Sequence, residues 1–414
     1  MTRHVTDLGS MDETEAMAAL LQQVVDYRPV VGPPIPVSEN MKKAFLTYPR
    51  HEFIDRFRMI YDDPAMPPRS KADADATALM YSNQPLMYVG ADTRNLPASS
   101  SEPAFILHLL SALDVRPGHS VLEVGCGTGW LLAIAAHLAG SGARVVGVEI
   151  IPDLAQQARA NLDRVGLNAV EVLNGDANSA AQSLGRFDRV IFTASTFSFP
   201  EFLFDVCKDG GRLVIPLRNK GLSEEAQFLV KEDREFRADG SRLCKFVQMT
   251  GNTSTANGIV PADQTLLTLI ENGGSEPLDI PDGPPGTLSF STFLSKTRPA
   301  FYLLGLRPPS VGSSLAAGTF GDPAALGIAL LNADWTSGAV WNTGRLTCFG
   351  DPSYREAFFD AFEEWKSFGK PDGSKFHLRV HRMQDVAAAD RPNGTWIENR
   401  GSISLIWSLR PSVH

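Results

Sequence analysis

Cysteine is scarce in this chain of 414 residues: Cys126, Cys207, Cys244 and Cys348 are scattered, with no CxxC or Cys-His ligand spacing. That pattern points to neither a zinc site nor a disulfide framework, and no metal is expected. A basic surplus is missing too. Lys and Arg number 38 against 47 Asp and Glu, a net charge of -9, which argues against a nucleic-acid partner, because a phosphate backbone needs a basic face. No stretch approaches the roughly 18 apolar residues of a membrane helix, and the opening MTRHVTDLGSMDETEAMAALLQQ lacks the apolar segment of a signal peptide. The expectation is a cytoplasmic protein with no membrane partner. No internal repeat occurs. At 43% hydrophobic residues the chain can bury a sizeable core, and its length suits two domains plus extensions.

What is present is rhythm. From residue 103 to 217 helical periods (PAFILHLLSALDV, WLLAIAAHLAG, PDLAQQARANLDRVG) alternate with short apolar strands (SVLEVG, RVVGVEI, VEVLNGD, FDRVIFTAS, RLVIPL). Such alternation predicts a doubly wound α/β domain, Rossmann-like, with a parallel sheet covered on both faces and its ligand at the carboxyl ends of the strands. We assign residues 1–40 to a lead-in segment, 41–220 to this domain and 221–414 to a C-terminal α+β extension. Residues 39–57 place Met41, Ala44, Phe45 and Phe53 in a short amphipathic helix, followed by a loop-rich stretch to about residue 102. Beyond Arg218, SEEAQFLVKED, CKFVQMTG, GIALLN, SGAVWNTG, KFHLRVHRM and GSISLIWSLR are strand candidates. The tract 271–289 reads as a connecting loop, and DPSYREAFFDAFEEWKSFGK as a helix.

The stretch VLEVGCGTGW (121–130) ends a strand on Glu123 and puts Gly125, Gly127 and Gly129 on alternate positions. Glycines at a strand-to-helix turn let the backbone approach a ligand. The third glycine of a dinucleotide fingerprint is not at its offset, and no Lys-Ser/Thr follows to make a P-loop. An acidic residue before Gly-x-Gly-x-Gly instead fits S-adenosyl-L-methionine, with the turn around its methionine part. Glu149 ends the next strand, where a carboxylate accepts ribose hydroxyls. Asp176 ends the third, placed for the adenine amino group. The plainer reading of Glu149 and Asp176 is helix capping or solvated acid.

The acceptor is narrowed by further absences. No Asp/Asn-Pro-Pro-aromatic tetrad of amino-methylating enzymes follows the fourth strand, and no Pro-Cys dipeptide offers the nucleophile of cytosine methylation. An oxygen or carboxylate acceptor remains. Here the chain resembles the protein-L-isoaspartate O-methyltransferases. YPRHEFI carries Pro49, Arg50, His51 and Phe53 in the family's order, YSNQPLMYVG is similar to its Tyr-x-Asp/Asn-x-Pro-Leu stretch, SSSEP to its Thr-x-Ser-x-Pro, and RFDRVIFTAS and DGGRLVIPL to its later strands. The likeness spans roughly residues 40 to 218. It implies that Ser101 faces the substrate carboxylate as the catalytic residue, backed by the substrate-binding Ser99 and Ser100, and that Glu123, Gly125, Gly127, Gly129, Glu149 and Asp176 bind the cofactor. His51 is expected to be structural.

The departures matter as well. GDANSAAQS replaces the family's Gly-Asp-Gly-Arg-x-Gly, and Glu102 stands where an uncharged residue is usual, so it must point away from a carboxylate substrate or the substrate differs. Some 195 further residues resemble the extensions of bacterial homologues that modify ribosomally made peptides. These features imply methyl esterification of an aspartyl or isoaspartyl side chain in a peptide partner, leading to aspartimide or isoaspartate, with the extension recognising the substrate. The alternatives are general repair of isoaspartate in proteins, or a noncatalytic peptide-binding module on a cofactor fold. An aspartate with a reference pKa of about 3.9 is ionised at neutral pH and needs no general base.

Overall fold

A computed structural model of the chain describes residues 12–29, 33–60, 62–63, 65–90, 98–221, 223–250, 258–307, 325–386 and 392–409. It divides into two units, Met1–Leu217 with Ala226–Ser254, and Arg218–Glu225 with Thr255–His414. The division therefore differs from a single cut at residue 220. The stretch 226–254 belongs with the first unit.

In the first unit α1 (Glu13–Asp26) is capped by Asp12, which accepts from the Glu15 N–H. Its Ala16, Leu20 and Val24, four residues apart, form one buried face in the main core. The lead-in segment is thus part of that core. Ser38 caps α2 (Glu39–Thr47), and Phe53, expected in this helix, sits in a separate 3-10 turn after Pro49. Prolines cannot continue a helical hydrogen-bond ladder.

The stretch expected to be loop holds a small antiparallel sheet. Its strands are β1 (Arg56–Met59), β2 (Arg69–Ser70), β3 (Leu86–Tyr88) and β4 (Ser99–Ser100), in the order β2-β1-β3-β4, with α3 (Ala76–Met80) between β2 and β3. Strands of two to four residues are too short for a period-two pattern to show.

The alternating region folds as its rhythm predicts. α4 (Pro103–Leu113), β5 (Val121–Val124), α5 (Trp130–Ala139), β6 (Val145–Glu149), α6 (Pro152–Arg164), β7 (Glu171–Asn174), α7 (Ala177–Leu184), β8 (Phe187–Phe192), α8 (Leu203–Val206) and β9 (Cys207–Arg218) follow one another. The sheet order runs β7-β6-β5-β8-β9, parallel throughout, and β10 (Glu224–Glu232) and β11 (Glu235–Leu243) extend it. β5 and β6 are buried at every residue, as strands covered on both faces must be. The described residues of CKFVQMTG, 244–250, form no strand; Gln248 alone among them bridges, to Ser195.

The second unit has its own core. β12 (Ile259–Pro261), α9 (Gln264–Asn272), β13 (Gly274–Pro277), α10 (Gly283–Thr297), β14 (Phe301–Gly305), β15 (Leu326–Leu331), β16 (Gly338–Asn342) and β17 (Arg345–Phe349) build a six-stranded sheet, β12-β14-β15-β16-β17-β13, with its helices. The tract 271–289 is therefore not merely a connection: β13 pairs with β17 and α10 starts on its prolines. α11 (Ser353–Ser367) precedes β18 (Phe376–Arg382), β19 (Thr395–Arg400) and β20 (Ile403–Leu409), which pair antiparallel in the order β19-β20-β18. Trp365 and Trp407 are fully buried. Among the described residues no helix is long and apolar enough to cross a membrane.

A charge is sealed inside this second core. Lys296 of α10, 2% exposed, meets Glu225 at 2.9 Å and lies 3.9 Å from the Trp407 ring centroid. Breaking a buried pair strands its partner, whereas removing both ends relieves the strain. Lys296→Met is expected to lower stability by about 3 to 5 kcal/mol, read from the urea midpoint. Adding Glu225→Leu should recover part of that loss; a double variant no better than the single one would contradict the account.

Candidate active site

Strand register assembles the site. Val124 lies opposite Val148 of β6 and Phe192 of β8, and Glu149 lies opposite Asn174 of β7. The chain therefore leaves these strands at one level. Gly125, Glu149, Asp176 and Thr193 meet along a single edge, at the switch point where open α/β sheets bind ligands.

Gly125, Gly127 and Gly129 have φ of +88°, +54° and +90°, a left-handed conformation that side chains with a Cβ resist. A Cβ on Gly125 would meet Thr193 Oγ1 at 3.1 Å, and one on Gly127 the Tyr88 ring at 3.1 Å. The turn is tied down by Glu149, whose carboxylate accepts the Gly127 N–H at 2.8 Å and the Ile151 N–H at 3.0 Å. Burial raises the Glu149 pKa, and those backbone donors oppose the rise.

Two cavities flank the turn. The larger, about 690 Å3 including its open mouth, is lined by Gly125, Gly127, Glu149, Asp176, Ala177, Thr193, Ala194 and the segment 247–250. The second, about 340 Å3, is lined by Ser99, Ser100, Ser101, Ile106, Glu123, Cys126, Trp130 and Leu131. Tyr88, Ser99, Gly125, Gly127 and Thr193 line both. The two cavities share one wall.

Most of the residues expected in the site are therefore brought together. Gly129 is the exception: it lines neither cavity, and a Cβ on it would lie 3.4 Å from Ala158 and Leu162 of α6. Asp176 lines the large cavity and also caps α7, accepting from the Asn178 N–H at 2.9 Å. Glu102 does not line either cavity; its carboxylate takes the Asn83 amide at 2.7 Å. His51 bonds the Tyr81 hydroxyl through Nδ1 at 2.7 Å, away from both cavities. Tyr88 and Thr193 were missed as site residues. Their motif gave no chemical cue, since both act by position.

Glu123 is 2% exposed and its Oε2 has no hydrogen-bond partner. Burial, reinforced by the nearby Glu149 charge, pushes its pKa up to about 8 against a hydrogen bond from Thr193. An orphaned buried acid beside a glycine turn is the complement of a ligand ammonium group, and Glu149 keeps lone pairs for hydroxyl donors. These residues fit a cofactor with a nucleoside and a cationic amino-acid tail.

The fold and this site define a class I S-adenosyl-L-methionine-dependent methyltransferase. The chain belongs to the protein-L-isoaspartate(D-aspartate) O-methyltransferase family, whose profile matches residues 30–254, and is a carboxyl O-methyltransferase using that cofactor. It is 33% identical over 215 residues to the protein-L-isoaspartate O-methyltransferase of Methanopyrus kandleri, covering 52% of this chain and 84% of the relative. Over 117 residues it is 40% identical to the enzyme of that name from Methanocella arvoryzae, covering 28% of this chain and 62% of the relative. A solved protein-L-isoaspartate O-methyltransferase structure, 18% identical, aligns with 89% of this chain and 96% of its own at a TM-score of 0.50, a likeness of fold.

The protonated Glu123 has a consequence for stability. In the unfolded chain a glutamate titrates near 4.3; in the folded protein it does so at about 8. The native state therefore holds the extra proton between those values, and its stability falls as pH rises through that window, by roughly 1.4 kcal/mol per unit from this group. Glu123→Gln should flatten the loss. Denaturation of both proteins between pH 5 and 8.5 checks this, and parallel pH profiles would contradict it.

Proposed function

We propose that the first unit esterifies the free carboxylate of an aspartyl or isoaspartyl residue in a peptide, and that the second unit selects the peptide. The observation that carries the reading is the shared wall: a serine-lined cavity opens onto the same glycines as the larger cavity lined by Glu149 and Asp176. S-adenosyl-L-methionine brings an electrophilic methyl group when bound. Glu123, Glu149 and Asp176 would hold it, with Gly125 and Gly127 leaving room, while Ser101, backed by Ser99 and Ser100, would donate hydrogen bonds to the acceptor carboxylate.

Among the described residues the serine wall holds no exposed general base, and none is required. The carboxylate is already ionised. What the protein contributes is alignment and exclusion of water between two neighbouring cavities.

The finer reading is a ribosomally made peptide in which the methyl ester is an intermediate. The following backbone nitrogen attacks the ester carbonyl, loses its proton and expels methanol, leaving an aspartimide that hydrolyses to isoaspartate. Support comes from a second unit with its own six-stranded sheet and core, on a family whose profile ends at residue 254. Repair of isoaspartate in damaged proteins is the second reading. It is favoured by the match to 84% of a protein-L-isoaspartate O-methyltransferase.

Glu149→Ala should lose cofactor binding by about 2 to 5 kcal/mol in a calorimetric titration, since hydrogen bonds to a charged acceptor vanish and the turn loses its tie. Ser101→Ala should keep cofactor affinity but slow single-turnover methylation roughly tenfold to a few hundredfold. Substrate choice separates the two readings. A peptide-modifying enzyme methylates a long precursor peptide well and generic isoaspartyl peptides feebly, whereas efficient methylation of many unrelated isoaspartyl peptides would establish repair.

A further inference from the structure

We infer that Arg50 is a positioning residue for the acceptor carboxylate, its buried cation forcing the wall of the second cavity to offer hydrogen-bond donors to an anion. The inference rests on the function proposed above and names how that site tells an acid from an amide.

Arg50 is 1% exposed. Its guanidinium donates to the carbonyls of Met80 at 3.0 Å, Gln84 at 3.1 Å, Ser100 at 3.1 Å and Ser101 at 3.1 Å, and to Ser100 Oγ at 3.1 and 3.2 Å. Every acceptor is neutral. Among the described residues no carboxylate forms an ion pair with it, and its charge instead lies 5.6 Å from the Trp130 ring centroid. Buried cations usually carry a counter-charge. This one is kept for something the protein chain does not provide, and burial lowers its pKa only to about 10, so it stays charged at neutral pH.

The hydrogen bonds give the charge a direction. A guanidinium only donates, so both lone pairs of Ser100 Oγ are taken and its proton must be given away. The recipient is Tyr88, whose phenol oxygen is also approached by Thr128 Oγ1 at 3.1 Å. An oxygen already surrounded by donors turns its own O–H outward. Tyr88 lines both cavities, next to Ser99, Ser100 and Ser101. A carboxylate bound there meets donors and a positive field. A carboxamide, whose NH2 is itself a donor, meets a mismatch.

The test measures discrimination. An isoaspartyl hexapeptide is the substrate at saturating S-adenosyl-L-methionine, and the same hexapeptide with the free α-carboxylate of its isoaspartyl residue converted to the carboxamide is the competitive inhibitor; the ratio of Ki to KM is read for the wild type, Arg50→Gln, Arg50→Lys and Tyr88→Phe. Arg50→Gln is expected to cut the ratio roughly tenfold to a hundredfold, mainly through KM rather than kcat. Arg50→Lys, which keeps the charge, should retain most of it, a rescue that loss of packing alone would not give. Calorimetric binding of S-adenosylhomocysteine reports that each variant is folded. An unchanged ratio in a folded Arg50→Gln overturns the inference. If that variant does not fold, Tyr88→Phe decides: a threefold to tenfold loss supports the relay, and no loss overturns it. A wild type that does not prefer the acid overturns the proposed function instead, and this inference with it.

Discussion

The bond from the Gly127 amide to the Glu149 carboxylate ties the end of β6 to the turn after β5, and the first unit is arranged around it. It requires a glycine with positive φ, because a Cβ there would press on Tyr88. Glu123, at the end of the neighbouring strand, keeps its proton because it is buried, and the Glu149 charge adds to that effect. The same wall carries the serines, so a cationic tail and an anionic acceptor would be received by groups of opposite character a few residues apart.

Much of this was legible in the sequence because it is local. The glycine spacing, the acids at three strand ends and the helix–strand rhythm each act within one turn of chain, and the parallel register then places Gly125, Glu149 and Asp176 at one edge. Gly129 shows the limit. Its spacing groups it with the other two glycines, yet it lines neither cavity and faces Leu162, thirty-three positions later. Arg50 and Tyr88 were harder still. Each is defined by partners from distant segments: Arg50 reaches Met80, Gln84, Ser100 and Ser101, and nothing in YPRHEF announces that the arginine is buried without an acid.

In the second unit one tract departs from its local signal. Residues 271–289 are rich in glycine and proline, which signals loop locally, yet pairing of β13 with β17 overrides that signal. The opposite error occurred at CKFVQMTG, which has strand composition but bridges through Gln248 alone. Composition predicts what a segment can do, and the available edge decides whether it pairs.

The central claim is that a protonated Glu123 and a tied Glu149 form one site for a cofactor with a cationic tail. Its most direct measurement is calorimetric titration with S-adenosylhomocysteine at pH 7 in two buffers of different ionisation enthalpy. An ammonium group placed against Glu123 should drive off its proton, so the account predicts one site with release of close to one proton per ligand bound. Binding with no proton exchanged, or no binding at all, would contradict it.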